Sequence, residues 1–257
     1  MHKNIFYSIT LILSLFTACE KDKELREPIE PITTTSVSLQ LENVFDSLNL
    51  TLDSVSYVLD SGEKLKISTY KYYISNIKLI SVDNKLYEEV ESYHLINEAV
   101  VSSKSIVLKN VPFNTYSAIE YVIGVDSTRN VSGSQSGDLS PNLGMFWSWN
   151  TGYIMAKLEG YSQQSGAPDK SLAFHIGGFK GINNALKKIT FNFAGSPLKV
   201  NQTGNPKITI NCNVKEWFVN PNTISFSTTH NVSSINQTSK QLADNYADMF
   251  SIKSIQN

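Results

Sequence analysis

Lys207-Ile208-Thr209-Ile210-Asn211-Cys212-Asn213-Val214-Lys215 alternates polar and apolar residues without a fault. Alternation with period two is the signature of a strand with one buried face. It places Ile208, Ile210, Cys212 and Val214 on that face, so Cys212 reads as a small core residue rather than a metal ligand. Shorter runs of the same kind recur outward from this stretch, at 37–41, 72–80, 106–111, 116–125, 153–158, 172–176 and 189–193. Turn signals separate them: Asp60-Ser61-Gly62, Val82-Asp83-Asn84, Pro112-Phe113-Asn114 and Gly195-Ser196-Pro197. Many short strands rich in β-branched and aromatic residues predict an all-β fold, a single-domain antiparallel β-sandwich. A short helix is expected near the C-terminus, over 238–250, where Leu242, Tyr246, Met249 and Phe250 fall at helical spacing.

The N-terminus predicts location. His2, Lys3 and Asn4 precede an apolar run from Ile5 to Ala18. That run is shorter than the roughly 20 residues of a membrane span, and it reads as a signal-peptide core over residues 1–18. Phe16-Thr17-Ala18-Cys19 resembles a bacterial lipobox, with Phe16 where Leu is usual; cleavage after Ala18 with a free Cys19 is the alternative. Lipidation of Cys19 would anchor the chain to the outer membrane, on its periplasmic or surface-exposed side. Residues 19–33 are rich in charge, Pro and Thr and read as a solvated tether. The acidic residues beside Cys19 resemble the export signal of surface lipoproteins in Bacteroidota, or serve as a generic spacer. Residues 34–257 then form the folded domain.

Composition excludes several functions. The 257 residues carry 22 basic and 23 acidic side chains, which offers no electrostatic footprint for nucleic acid. Cys212 is the one cysteine besides Cys19, so the mature domain has no internal disulfide. The chain has no Gly-x-Ser-x-Gly elbow, P-loop, His-Glu-x-x-His or Cys-x-x-Cys, and no enzymatic constellation stands out.

The candidate chemistry gathers around Gly144-Met145-Phe146-Trp147-Ser148-Trp149-Asn150-Thr151-Gly152-Tyr153. In an extended chain Met145, Trp147 and Trp149 share a face and form one polarizable, oxidisable stripe. Such a stripe can be core, a carbohydrate platform, or a redox or soft-metal site. Burial in a sandwich core is the commoner fate of tryptophan. Two long loops, 126–143 and 160–170, flank the motif and are expected to form a site around it. Asp126, Asp138 and Glu159 could orient a sugar or supply oxygen ligands to calcium. Leu172, Phe174 and Ile176 take one face of their strand, so His175 points to the other. The adjacent Gly177-Gly178 permits close approach of a backbone or ligand. His94 reads as structural, and His230 carries little signal.

Several of these segments, in order, resemble the MbnP-like family, whose relatives include the copper-binding MopE/CorA proteins. They are Tyr72-Tyr73-Ile74-Ser75-Asn76-Ile77-Lys78-Leu79, Gly124-Val125-Asp126-Ser127, Gly137-Asp138-Leu139, the 144–153 motif, Lys157-Leu158-Glu159-Gly160 and Phe174-His175-Ile176-Gly177-Gly178. The resemblance runs with gaps from 37 to 214. It implies a β-sandwich that binds or handles copper outside the cytoplasm, without being an enzyme. It also implies a tryptophan oxidised to kynurenine by a di-haem cytochrome c peroxidase-like partner of the MbnH type. Carried onto this chain, Trp147 or Trp149 is the modified residue, His175 the imidazole ligand and Met145 a soft thioether donor. The alternative function is a surface interaction or glycan-binding lipoprotein that kept the fold and lost the metal.

Two departures weigh on that reading. No histidine lies within twenty residues of Trp147 or Trp149, and the 37–43 strand has none. A hairpin turning near Gly166 puts His175 opposite residue 157. Trp149 would then lie about 25 Å away along a straight strand. A shared site therefore requires the chain to fold back around Asn150-Thr151-Gly152.

Overall fold

The alternating 207–215 stretch becomes the Lys207–Asn213 strand, and Ile208, Ile210 and Cys212 on its inner face are fully buried. The computed structural model describes residues 33–133, 135–147, 152–193 and 195–257. The signal segment, Cys19 and Trp149 lie outside the described residues. Val214, expected to end the strand, instead opens a 3₁₀ turn, Val214–Phe218, capped by the Asn213 side chain. It remains buried there, because Trp217 and Phe218 from the same turn close over the core.

Two sheets stack face to face. In the first, Lys207–Asn213 lies between Thr34–Phe45 and Phe250–Gln256, and Thr34–Phe45 also pairs with Ser105–Pro112 and Leu48–Asn49. The second runs in the order Lys187–Asn192, Asn114–Ile123, Lys64–Ser81, Gly152–Tyr161, Ser171–Gly177, Asn231–Val232. Pairing is antiparallel between neighbours in most of the sandwich, as the short turn-linked strands require. Thr34–Phe45 and Lys207–Asn213 are parallel, with Leu39 opposite Ile208 and Leu41 opposite Ile210. No hairpin constrains two strands so distant in sequence, so either direction is open to them. The core lies between the sheets, where Tyr72 of the second sheet donates its hydroxyl to Cys212 Sγ of the first at 3.2 Å.

The expected helix is shorter than its pattern. Gln237–Tyr246 is α-helical behind a capping box in which Asn236 and Ser239 satisfy each other's backbone N–H groups. A 3₁₀ turn, Ala247–Met249, follows, and Phe250 begins a strand. Phe250 satisfies helical and strand periodicity alike; its pairing opposite Cys212 decides for the strand. The Lys64–Ser81 strand also starts eight residues before the expected 72, because Leu65 and Ile67 already alternate inward between exposed Lys64 and Lys66.

Candidate functional site

The site is built on the outer face of the second sheet, and strand parity decides who faces it. Tyr70 and Tyr72 point into the core, which turns Thr69, Lys71 and Tyr73 outward. Ala156 and Leu158 are buried inward, so Lys157 and Glu159 face out; Leu172, Phe174 and Ile176 leave Ala173, His175 and Gly177 on the same outer side. Register then brings the side chains together. Lys157 pairs with His175 on one flank and Lys71 on the other, while Glu159 pairs with Ala173 and Thr69. The hairpin count that placed His175 opposite residue 157 agrees with this register.

The chain folds back where the copper reading required. Phe146–Trp147 runs antiparallel to the start of Gly152–Tyr161, with Trp147 opposite Gly152 and Phe146 opposite Tyr153. The pairing continues to Met145, whose carbonyl accepts the Ile154 N–H at 2.9 Å. This return lays the Trp147 indole over Gly177. A Cβ built on that glycine would meet Cη2 at 2.6 Å and Cζ3 closer still. The close approach that Gly177-Gly178 permits is made by this indole. His175 stands two residues away on the same face, one pleat repeat or about 7 Å along the strand. Trp147 is 1% exposed and Met145 is fully buried.

Four side chains of the sheet strap the preceding loop down. Tyr73 Oη donates to the Asp138 carbonyl at 2.9 Å and Tyr153 Oη to the Leu139 carbonyl at 2.6 Å. Lys71 Nζ donates to Leu143 O at 3.1 Å and Lys157 Nζ to Gly144 O at 3.4 Å. The two lysines carry no signal of their own in the sequence beyond their alternation with apolar neighbours. Burial and the neighbouring Lys157 charge hold the Lys71 ammonium below its ordinary range.

His175 Nε2 lies 2.7 Å from Glu159 Oε1, and Lys157 Nζ lies 3.2 Å from the same oxygen. With 19% of its side chain exposed, His175 is held below the usual histidine range by burial, which outweighs the carboxylate's pull in the other direction. Burial alone would raise Glu159, but the hydrogen bonds and charge supplied by His175 and Lys157 carry it below the ordinary range. The result is a neutral imidazole hydrogen-bonded to an ionised carboxylate, on the same sheet face as the buried Trp147 indole.

Other expectations fare differently. The 126–143 loop does cover the site, but the 160–170 turn sits at the far end of the Gly152–Tyr161 strand, about 30 Å from Trp147. Only one of the two flanking loops therefore contributes. Asp126 spends its carboxylate on Asn76 Nδ2 and Tyr93 Oη, both at 2.9 Å, and Asp138 accepts the Leu95 N–H at 3.0 Å. With Glu159 bound to His175, the three carboxylates serve separate partners. Among the described residues no three His, Cys, Asp or Glu side chains gather as a metal-binding group. His94 bonds Glu89 Oε2 at 2.8 Å, as a structural histidine would. His230 uses its carbonyl to accept the Ala173 N–H at 2.9 Å.

The family model MbnP matches residues 34–239. The chain belongs to the MbnP family. Its matched span takes in the 144–153 motif, His175 and both sheets apart from the Phe250–Gln256 strand. Among solved structures, MbnP from Methylosinus trichosporium is similar at 13% identity and a TM-score of 0.47, over 69% of this chain and 76% of that one. No curated protein matches the sequence. Among the described residues, Trp147 over Gly177 and the His175–Glu159 pair share the outer face of the second sheet.

Proposed function

We propose that this protein is a lipid-anchored, non-enzymatic MbnP-type protein that binds or handles copper outside the cytoplasm. Cys19 carries the lipid, which holds the domain to the outer membrane through the 19–33 tether. His175 supplies the imidazole ligand, and Trp147 is the residue oxidised to kynurenine by a di-haem partner. The observation that carries the reading is the Trp147 indole seated on Gly177, two residues from His175 on one sheet face. The donor chemistry is compatible: a half-buried neutral imidazole keeps one nitrogen lone pair, and imidazole and thioether both suit copper. A group of three conventional ligands does not form among the described residues, so this chemistry needs unconventional donors. An oxidised indole and the Met145 thioether are of that kind. Bound copper would contribute a redox-active centre; the chain contributes the imidazole, the buried wall of Trp147 and the Glu159–Lys157 pair behind it.

Intact-mass analysis after co-expression with the haem partner tests the modification, since conversion to kynurenine adds one oxygen atom and removes one carbon. Copper titration of the wild type against His175→Ala tests the ligand. An unmodified mass sinks the oxidation, and unchanged affinity removes His175 from the site.

A further inference from the structure

Resting on the copper reading, we infer that Glu159 is the positioning residue for His175. Its carboxylate fixes the imidazole proton on Nε2, so that Nδ1 is the nitrogen presented to the metal. A metal-ligating imidazole is neutral, with one N–H and one lone pair, and the hydrogen bond made by the first nitrogen decides which is which. Here Nε2 faces Glu159 Oε1 at 2.7 Å. An ionised carboxylate accepts and never donates, and Lys157 Nζ at 3.2 Å from the same oxygen favours the ionised form. Nε2 therefore carries the proton.

The order of residues along the strand supports the same assignment. Ala173, His175 and Gly177 occupy successive outward positions; Glu159 stands opposite the first, and Trp147 lies over the third. The carboxylate that engages the ring comes from the register position on the opposite side of His175 from Gly177. Along the strand His175 thus stands between the position faced by its proton acceptor and the one covered by the oxidisable residue. Lys157, directly opposite His175, also binds the Gly144 carbonyl at 3.4 Å, which ties the carboxylate's partner to the loop leading into Trp147.

The tautomer can be read without any metal. In full-length protein labelled with ¹⁵N-histidine and kept copper-free above the imidazole titration range, long-range ¹H–¹⁵N spectra identify which nitrogen bears the proton. The wild type is expected to give His175 as the Nε2–H form alone, and Glu159→Ala a mixture of both forms. Glu159→Gln keeps the shape while removing the charge, and serves if the alanine variant fails to fold. Copper(I) competition titrations should then show affinity lowered about 10–100-fold in either variant, with the thermal midpoint held. An Nδ1–H tautomer in the wild type, or a tautomer unchanged by both substitutions, overturns the assignment. If the wild type shows the Nε2–H form yet binds no copper(I), the copper reading and the role toward a metal fall, while the His175–Glu159 geometry stands.

Discussion

Trp147 occupies the space that a side chain on Gly177 would fill. The two residues are thirty apart in sequence, and the indole lies against bare backbone because residue 177 has no Cβ. Gly177→Ala should therefore push the indole off the sheet. Forcing extra volume into a packed contact costs about 1–3 kcal/mol. Urea denaturation should register that loss, and Trp147 should become more accessible to a fluorescence quencher. Wild-type stability together with wild-type quenching would mean that the indole does not depend on this seat.

Cys212 should be chemically silent in the folded protein. It is fully buried, and burial pushes its thiol up to about 12, well above the pH at which alkylating agents find a thiolate. Iodoacetamide at pH 8 should leave the Cys212 peptide unmodified in native protein and label it fully in denaturant. Stoichiometric native labelling, located by peptide mapping, would contradict the packing of the Lys207–Asn213 strand under Tyr72.

That strand also marks how far the sequence could be read. Alternation at Ile208, Ile210 and Cys212 declares a buried face, because parity is a local property and survives any topology. The hairpin register of Lys157 with His175 follows from counting residues around one turn. The seat of Trp147 on Gly177 does not, since it depends on a return of the chain that local pattern permits without requiring. Phe250 illustrates a different limit. It fits both the helix before it and the strand it begins, and only the distant partner Cys212 separates the two. Lys71 and Lys157 were illegible for a third reason: a lysine on the outward side of a strand looks solvated until a loop is laid over it.

Acid should release the start of the loop that covers the site. Asp126 caps the short Ser127–Asn130 helix by accepting the Arg129 N–H at 3.3 Å, and binds Asn76 and Tyr93 through its other oxygen. Burial pushes its carboxyl upward, but these hydrogen bonds outweigh it and leave the group below its ordinary value of 3.8. A depressed carboxyl stabilises the fold fully above its unfolded value, and the contribution fades as pH falls through the folded one. The difference in melting temperature between wild type and Asp126→Asn should thus be level from pH 7 to 5 and shrink below 3.8. A difference that persists undiminished to pH 2.5 would remove Asp126 from this role.

Tyr153 links that loop to the Trp147–His175 face most directly. Its ring packs edge-on against Tyr73 at 5.7 Å and Phe146 at 5.1 Å, and its hydroxyl donates to the Leu139 carbonyl at 2.6 Å. Tyr153→Phe keeps the ring contacts and deletes the hydrogen bond, leaving the Leu139 carbonyl without that donor. The expected loss is about 1–3 kcal/mol, the cost of stranding a buried acceptor. The loss should be local first, because the strap and not the ring packing is what has been removed. Amide hydrogen exchange should accelerate in 137–147 before it changes in the Lys64–Ser81 or Ser171–Gly177 strands. Uniform acceleration across both sheets would mean that Tyr153 serves the sandwich as a whole. Unchanged exchange in 137–147 would mean that Lys71, Tyr73 and Lys157 hold the loop without it.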